Sequence, residues 1–191
     1  MSYNFLDKIY KSNSYSTSKD LYQKWAPSYD DELTENKYVT PLRCAQILSN
    51  YIKNKNIKIL DIGCGTGLSG FALKKNGFKS IDGLDLSEEM LKIAEQKKIY
   101  QSLFNFDLNN PTDFNHKYDA IIAAGVISPT HANPDTIISS YSMLKKKGLM
   151  IFSINDHALN DSLFFSSINK IIQNSNFILL DQIYGDHIKE L

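Results

Sequence analysis

The run over residues 57–62, rich in isoleucine, breaks off at Gly63, Gly65 and Gly67 and passes at once into a helical pattern carried by Leu68, Phe71, Ala72 and Leu73. A strand that turns into a helix so abruptly pairs next with a parallel neighbour, because a parallel return needs a crossover long enough to cover a face of the sheet. The unit repeats. Strand patterns follow over residues 80–84, weakly over 102–106, then over 120–124, 149–154 and 177–183. Helical patterns alternate with them. Leu42, Ala45, Leu48 and Ile52 follow Pro41; Met90, Leu91, Ile93 and Ala94 follow Ser87, a natural N-cap. Ile137, Ile138, Tyr141 and Leu144 precede Lys145, Lys146 and Lys147, cations that suit a helix C-terminus; Phe164, Phe165, Ile168, Ile171 and Ile172 form the last pattern. The expected fold class is α/β: a doubly wound, mostly parallel sheet with helices on both faces.

At 191 residues the chain has room for one core of ordinary size. Hydrophobic residues at 42% against 22% charged place it among packed globular proteins. Lys+Arg and Asp+Glu balance at 21 each, so charge supplies no footprint for nucleic acid or an anionic membrane, and neither partner is expected. The longest apolar stretch, residues 120–127, falls far below the ~20 residues of a membrane span, and the N-terminus lacks the apolar core of a secretory signal. Cys44 and Cys64 lack the CxxC spacing of a redox or zinc site. A cytoplasmic protein with reduced thiols and no metal is expected. Residues 1–38, polar and with a flexible joint over 12–18, read as an N-terminal extension; residues 39–191 read as the main domain.

In a doubly wound sheet, ligands bind beyond the carboxyl ends of the strands beside the first one. Asp61, Asp85, Asp107 and Gly125 stand at or after the ends of four successive strands. Gly63 and Gly65 permit positive φ and remove the Cβ atoms that would keep a ligand off the backbone. Gly65, Gly67 and Gly70 satisfy GxGxxG, but the glycine that leaves the strand is Gly63, and Asp61 just upstream would repel a pyrophosphate. A carboxylate there suits the ammonium of an amino-acid group. Asp85 can accept both hydrogen bonds of a ribose diol. Asp107 can accept from an adenine amino group, with Leu86 and Phe106 as apolar neighbours for the ring. Amino acid, ribose and adenine in that order describe S-adenosylmethionine.

The segments ILDIGCGTG, IDGLDLSEEML, NFDL and YDAIIAAGV together resemble a class I S-adenosylmethionine-dependent methyltransferase, with a Rossmann-like sheet. The segments LYQKWAPSYDDEL and GVISPTHANPD are similar to the smaller group related to the Williams–Beuren-region methyltransferase. The resemblance implies cofactor contacts at Asp61, Gly63, Gly65, Asp85 and Asp107. It also implies that Tyr22, Trp25 and Tyr29 close over the methionine end; core aromatics pinning the extension are the other use open to Trp25 and Tyr29. Relatives carry a seventh, antiparallel strand, expected here to be short or missing, since only eight residues follow Ile183. The extension or a second subunit, as in a homodimer, would then cover the open sheet edge.

The implied activity is transfer of the sulfonium methyl to oxygen, nitrogen or sulfur of a small-molecule acceptor, leaving S-adenosylhomocysteine. Alignment supplies most of the acceleration in such a reaction, so a base is optional. His131, shortly after the fourth strand, is the candidate base; a loop histidine without catalytic duty is the alternative. The rival reading from a different class is a non-catalytic cofactor-binding module or regulatory subunit.

Overall fold

The computed structural model describes residues 5, 8, 15–107, 114–174 and 176–187. Its strands are β1 (Lys58–Ile62), β2 (Ser80–Asp85), β3 (Leu103–Asn105), β4 (Tyr118–Ala123) and β5 (Leu144–Phe152). All pair in parallel, in the order β3-β2-β1-β4-β5. The helices are α1 (Tyr15–Trp25), α2 (Tyr29–Glu35), α3 (Thr40–Tyr51), α4 (Leu68–Lys75), α5 (Glu88–Gln96), α6 (Asp135–Met143), α7 (Asp156–Asn160) and α8 (Ser162–Asn174), with a 3-10 turn, Ala26–Ser28, between α1 and α2. No helix among the described residues is long and apolar enough to cross a membrane.

The period of two along each strand sorts side chains to two cores. Leu60, Ile62, Leu84, Ile121 and Ala123 face a core shared with Met143 of α6 and Ile168 of α8. Ile59, Ile81, Ala120 and Ile122 face Cys44, Ala45 and Leu48 of α3 and Ala72 and Leu73 of α4. Asp61 alternates with Leu60 and so falls on the second face, a placement that decides its surroundings at the site. Ser87 caps α5 as expected, accepting from the Met90 amide at 3.3 Å. Asp82, almost wholly buried, accepts from the Tyr118 hydroxyl at 2.9 Å and pairs with Lys58 at 3.0 Å. The ion pair is tolerated because the buried carboxylate gains hydrogen bonds as well as a counter-charge.

Four expectations are corrected. Lys145, Lys146 and Lys147 do not end a helix: α6 stops at Met143, and the lysines belong to β5. Leu144 is already extended, Lys147 takes φ 65°, and the register against β4 shifts between Tyr118 and Ala120, so the strand opens on a bulge while Lys145 pairs with Asp119 at 2.9 Å. Residues 177–183 form no sixth strand. A groove of about 1780 Å³ is lined by both β5 and this segment, and Arg43 holds the segment's end instead, donating to the Gly185 carbonyl at 2.9 Å. Residues 15–18 of the expected flexible joint are helical; residues 12–14 lie outside the described residues. The described residues of the extension do not cover β5 either: Phe5 stacks on Trp25 at 6.2 Å and α1 packs on α5, which follows β2 at the opposite side of the sheet.

Candidate active site

The carboxyl ends of β1, β2 and β4 meet at a cavity of about 130 Å³. Gly63, the first residue after β1, has φ 60°, and a Cβ there would stand 2.6 Å from Val126 Cγ2, so neither the turn nor the packing admits a side chain. Gly65 has φ 53° and nothing within 4 Å of where its Cβ would stand, which leaves backbone open to the cavity.

Asp85 ends β2 with both carboxylate oxygens engaged. Oδ2 accepts from the Gly65 amide and Oδ1 from the Ser87 amide, each at 2.8 Å. Burial raises its pKa, and the amides of Ser87 and Gly65 oppose that rise by favouring the charged form. Each oxygen keeps a further lone pair for a donor in the cavity, on which Asp85 borders.

Asp61 is fully buried on the α3–α4 face, beneath the loop, and does not line the cavity. Its Oδ2 accepts from the Ser69 hydroxyl at 2.5 Å and from the Tyr100 hydroxyl at 2.6 Å, while Oδ1 has no partner. Burial pushes the carboxyl up to about 7, against the lowering effect of the two hydroxyls; the nearby Asp85 adds to the rise.

The N-terminal helices roof the cavity. Tyr22 and Tyr29 line it. Trp25 instead is core: buried, it stacks on Tyr22 at 5.6 Å, meets Tyr29 edge-on at 4.6 Å, and leaves its indole Nε1 unpartnered. His131 lines the cavity from the loop after β4, its Nε2 2.6 Å from the Tyr22 hydroxyl and its Nδ1 against the Ser128 hydroxyl and 3.1 Å from that of Thr130. Burial lowers its pKa to about 4, so the ring is neutral at pH 7. A second fastening is made by Asp30 of α2, which accepts from the wholly buried Thr66 of the glycine loop at 2.5 Å and pairs with Lys97 just past α5.

Of the expected site residues, Tyr22, Tyr29, Gly63, Gly65, Asp85, Leu86, Phe106, Gly125 and His131 meet at one cavity. Asp61, Trp25 and Asp107 do not line it. Sequence reasoning missed Asp30, Ser69, Tyr100, Ser128 and Thr130. Tyr100 and Asp30 reach the loop across 39 and 36 residues, and no local pattern marks such a pairing. Ser128 and Thr130 were legible as hydroxyls flanking His131, at the spacing of a tight loop.

A family model described as a methyltransferase domain matches residues 37–187, which include the whole sheet and its carboxyl-end cavity apart from the roof. The chain belongs to the methyltransferase-domain family. This bears out the class I S-adenosylmethionine-dependent resemblance, and the Williams–Beuren-region group is supported loosely, through one human relative. Among similar proteins, a methyltransferase of Geobacillus sp. (strain WCH70) is 30% identical over 163 residues, 78% of this chain and 66% of that protein. Human methyltransferase-like protein 27 is 28% identical over 145 residues, 73% of this chain and 58% of that protein. The chain thus spans less than two thirds of the length of either relative. The crystal structure of a ribosomal protein L11 methylase from Lactobacillus delbrueckii subsp. bulgaricus superposes with a TM-score of 0.60 at 25% identity, covering 75% of this chain and 72% of that one. That likeness bears out the Rossmann-like, mostly parallel sheet. The family's cofactor is S-adenosylmethionine.

Proposed function

We propose that this methyltransferase-family chain binds S-adenosylmethionine between Asp85 and the Tyr22–Tyr29–His131 roof, and that it moves the methyl group to a small-molecule acceptor. The observation that carries the reading is Asp85: a carboxylate fixed by two backbone amides at the end of β2 and bordering the cavity of a family domain. Each bond from a ribose hydroxyl to a charged acceptor contributes about 1.5–3 kcal/mol.

The residues present fit the cofactor. Gly65 leaves room at the backbone where a Cβ would intrude, and Leu86 and Phe106 give a flat base apolar neighbours. Asp61 acts from beneath the loop, its charge favouring a cationic ligand end above it. When bound, the cofactor supplies an activated methyl group and a neutral leaving sulfide. The chain orients the acceptor and excludes water, which can supply most of the acceleration. His131 serves as a hydrogen-bonding and positioning group more than as a base, because a ring held near 4 is a weak proton acceptor at pH 7.

The N-terminal helices α1 and α2 act as a lid. Ligand pockets commonly enclose ~300–1,000 Å³, so a cavity of about 130 Å³ must widen as the cofactor enters. The Tyr22–His131 and Asp30–Thr66 bonds are the fastenings that part to admit it and re-form over it. Incubation with methyl-labelled cofactor and a small-molecule extract tests the activity. Labelled small-molecule product is expected; label on protein alone contradicts the acceptor class, and binding without product leaves a non-catalytic module.

A further inference from the structure

We propose that the methyl acceptor is a neutral amine nitrogen, held where the rings of Tyr22, Tyr29 and His131 converge. The proposal rests on the cofactor reading above and names its substrate class. Ring centroids stand 6.1 Å apart for Tyr22–Tyr29 and 5.2 Å for Tyr22–His131, and all three side chains line the cavity. Sheet order places this cluster, fixed by the loop after β4, across β1 from Asp85 at the end of β2. Adenosine gripped at Asp85 therefore extends its sulfonium end toward the rings.

Charge decides among acceptors. Among the described residues that line the cavity, Asp85 is the one with a formal charge, and it is negative. Tyrosine faces attract a cation through the ring quadrupole. When an amine attacks, its lone pair forms the N–C bond and the C–S pair returns to sulfur. The sulfonium becomes a neutral thioether, the nitrogen becomes an ammonium, and any proton on it leaves afterwards to solvent. Positive charge is conserved, so rings and carboxylate stabilise reactants, transition state and product alike. A thiolate, phenolate or carboxylate cancels the charge in the transition state; the same surroundings then favour the ground state and slow the transfer.

A neutral alcohol or thiol would need its proton removed as it reacts. The nearest imidazole has Nε2 tied to Tyr22 and Nδ1 tied to Ser128 and Thr130, so no ring nitrogen is left for that task. An amine that has given up its proton to solvent before attack brings its own free lone pair and needs no base in the site.

The test begins by titrating the full chain with S-adenosylhomocysteine; a failure there overturns the cofactor reading and the amine with it. The loaded protein is then titrated with trimethylammonium, neutral tert-butanol and acetate. Trimethylammonium is expected to bind at least tenfold more tightly than either, with the preference lost in Tyr22→Leu and Tyr29→Leu. Equal or tighter binding of acetate or tert-butanol overturns the proposal while leaving the cofactor reading intact, and this comparison needs only the wild-type chain. Finally, labelled cofactor with an equimolar mixture of amines, thiols, phenols and carboxylic acids should place label on nitrogen. Label on sulfur or oxygen, or on none of the amines, overturns it.

Discussion

The Thr66 hydroxyl, wholly buried in the glycine loop, donates to Asp30 Oδ1 at 2.5 Å, tying the N-terminal roof to the turn that follows β1. One residue away, the Gly65 amide donates to Asp85. Roof, loop and the proposed ribose-binding carboxylate therefore form one connected chain of polar contacts, extended outward by the Lys97–Asp30 pair.

If that chain transmits closure, Asp30→Ala and Thr66→Val each weaken S-adenosylhomocysteine binding by roughly five- to tenfold, and the double variant is no weaker than the worse single one. Coupled neighbours give such non-additivity, of order 0.5–3 kcal/mol. Calorimetric affinities for the four proteins complete the cycle. Simple additivity would mean the contact does not couple lid to loop.

Removing one hydroxyl should loosen the other fastening. Tyr22→Phe keeps the ring but loses the bond to His131, worth about 1 kcal/mol, so release of S-adenosylhomocysteine should quicken about fivefold. Trp25 is the chain's one tryptophan and stacks on Tyr22, which makes stopped-flow fluorescence a direct reporter. An unchanged release rate would show that the bond does not limit opening.

Asp61 has a folded pKa of about 7, above its ordinary 3.8. A group raised on folding contributes stability that is full below the lower value and lost as pH rises through the higher one. Asp61→Asn should thus match wild type near pH 4 and exceed it increasingly up to pH 8, read by urea denaturation at several pH values. Binding of the cationic cofactor at pH 7 should release protons from wild type and none from Asp61→Asn, measured in buffers of different ionisation heat. A pH-independent gap between the two proteins would remove the buried carboxyl from the account.

For His131 the sign is opposite. Its pKa is depressed from 6.5 to about 4, so wild type should lose stability as pH falls from 6.5 toward 4, while His131→Gln lacks that loss. Denaturation midpoints at pH 7 and pH 5 decide it; parallel declines would contradict a neutral, enclosed ring.

The sheet as far as β5 was legible because β1, β2 and β4 are short, largely buried runs, each followed by a helix signal. The error at residues 177–183 has a plain cause: Ile178, Leu179 and Leu180 have the composition of a strand, but a strand needs a neighbour, and β5 faces a groove there. Asp85, Gly63 and Gly65 were readable from the turn they build. Asp61 was readable as important but misplaced, because alternation along β1 turns it to the Ile59 face, where Ser69 and Tyr100 receive it. Trp25 carries the same ambiguity as any aromatic beside a ligand site: its ring is as useful for pinning the roof as for touching what lies beneath.

The decisive measurement is a calorimetric titration of the folded chain and of Asp85→Ala with S-adenosylhomocysteine. The account requires binding on the order of micromolar for wild type, weakened at least tenfold in the variant, since one lost charge-assisted bond of about 1.5–3 kcal/mol suffices for that factor. Wild-type protein that is folded yet gives no binding, or an Asp85→Ala variant that binds equally well, would contradict it.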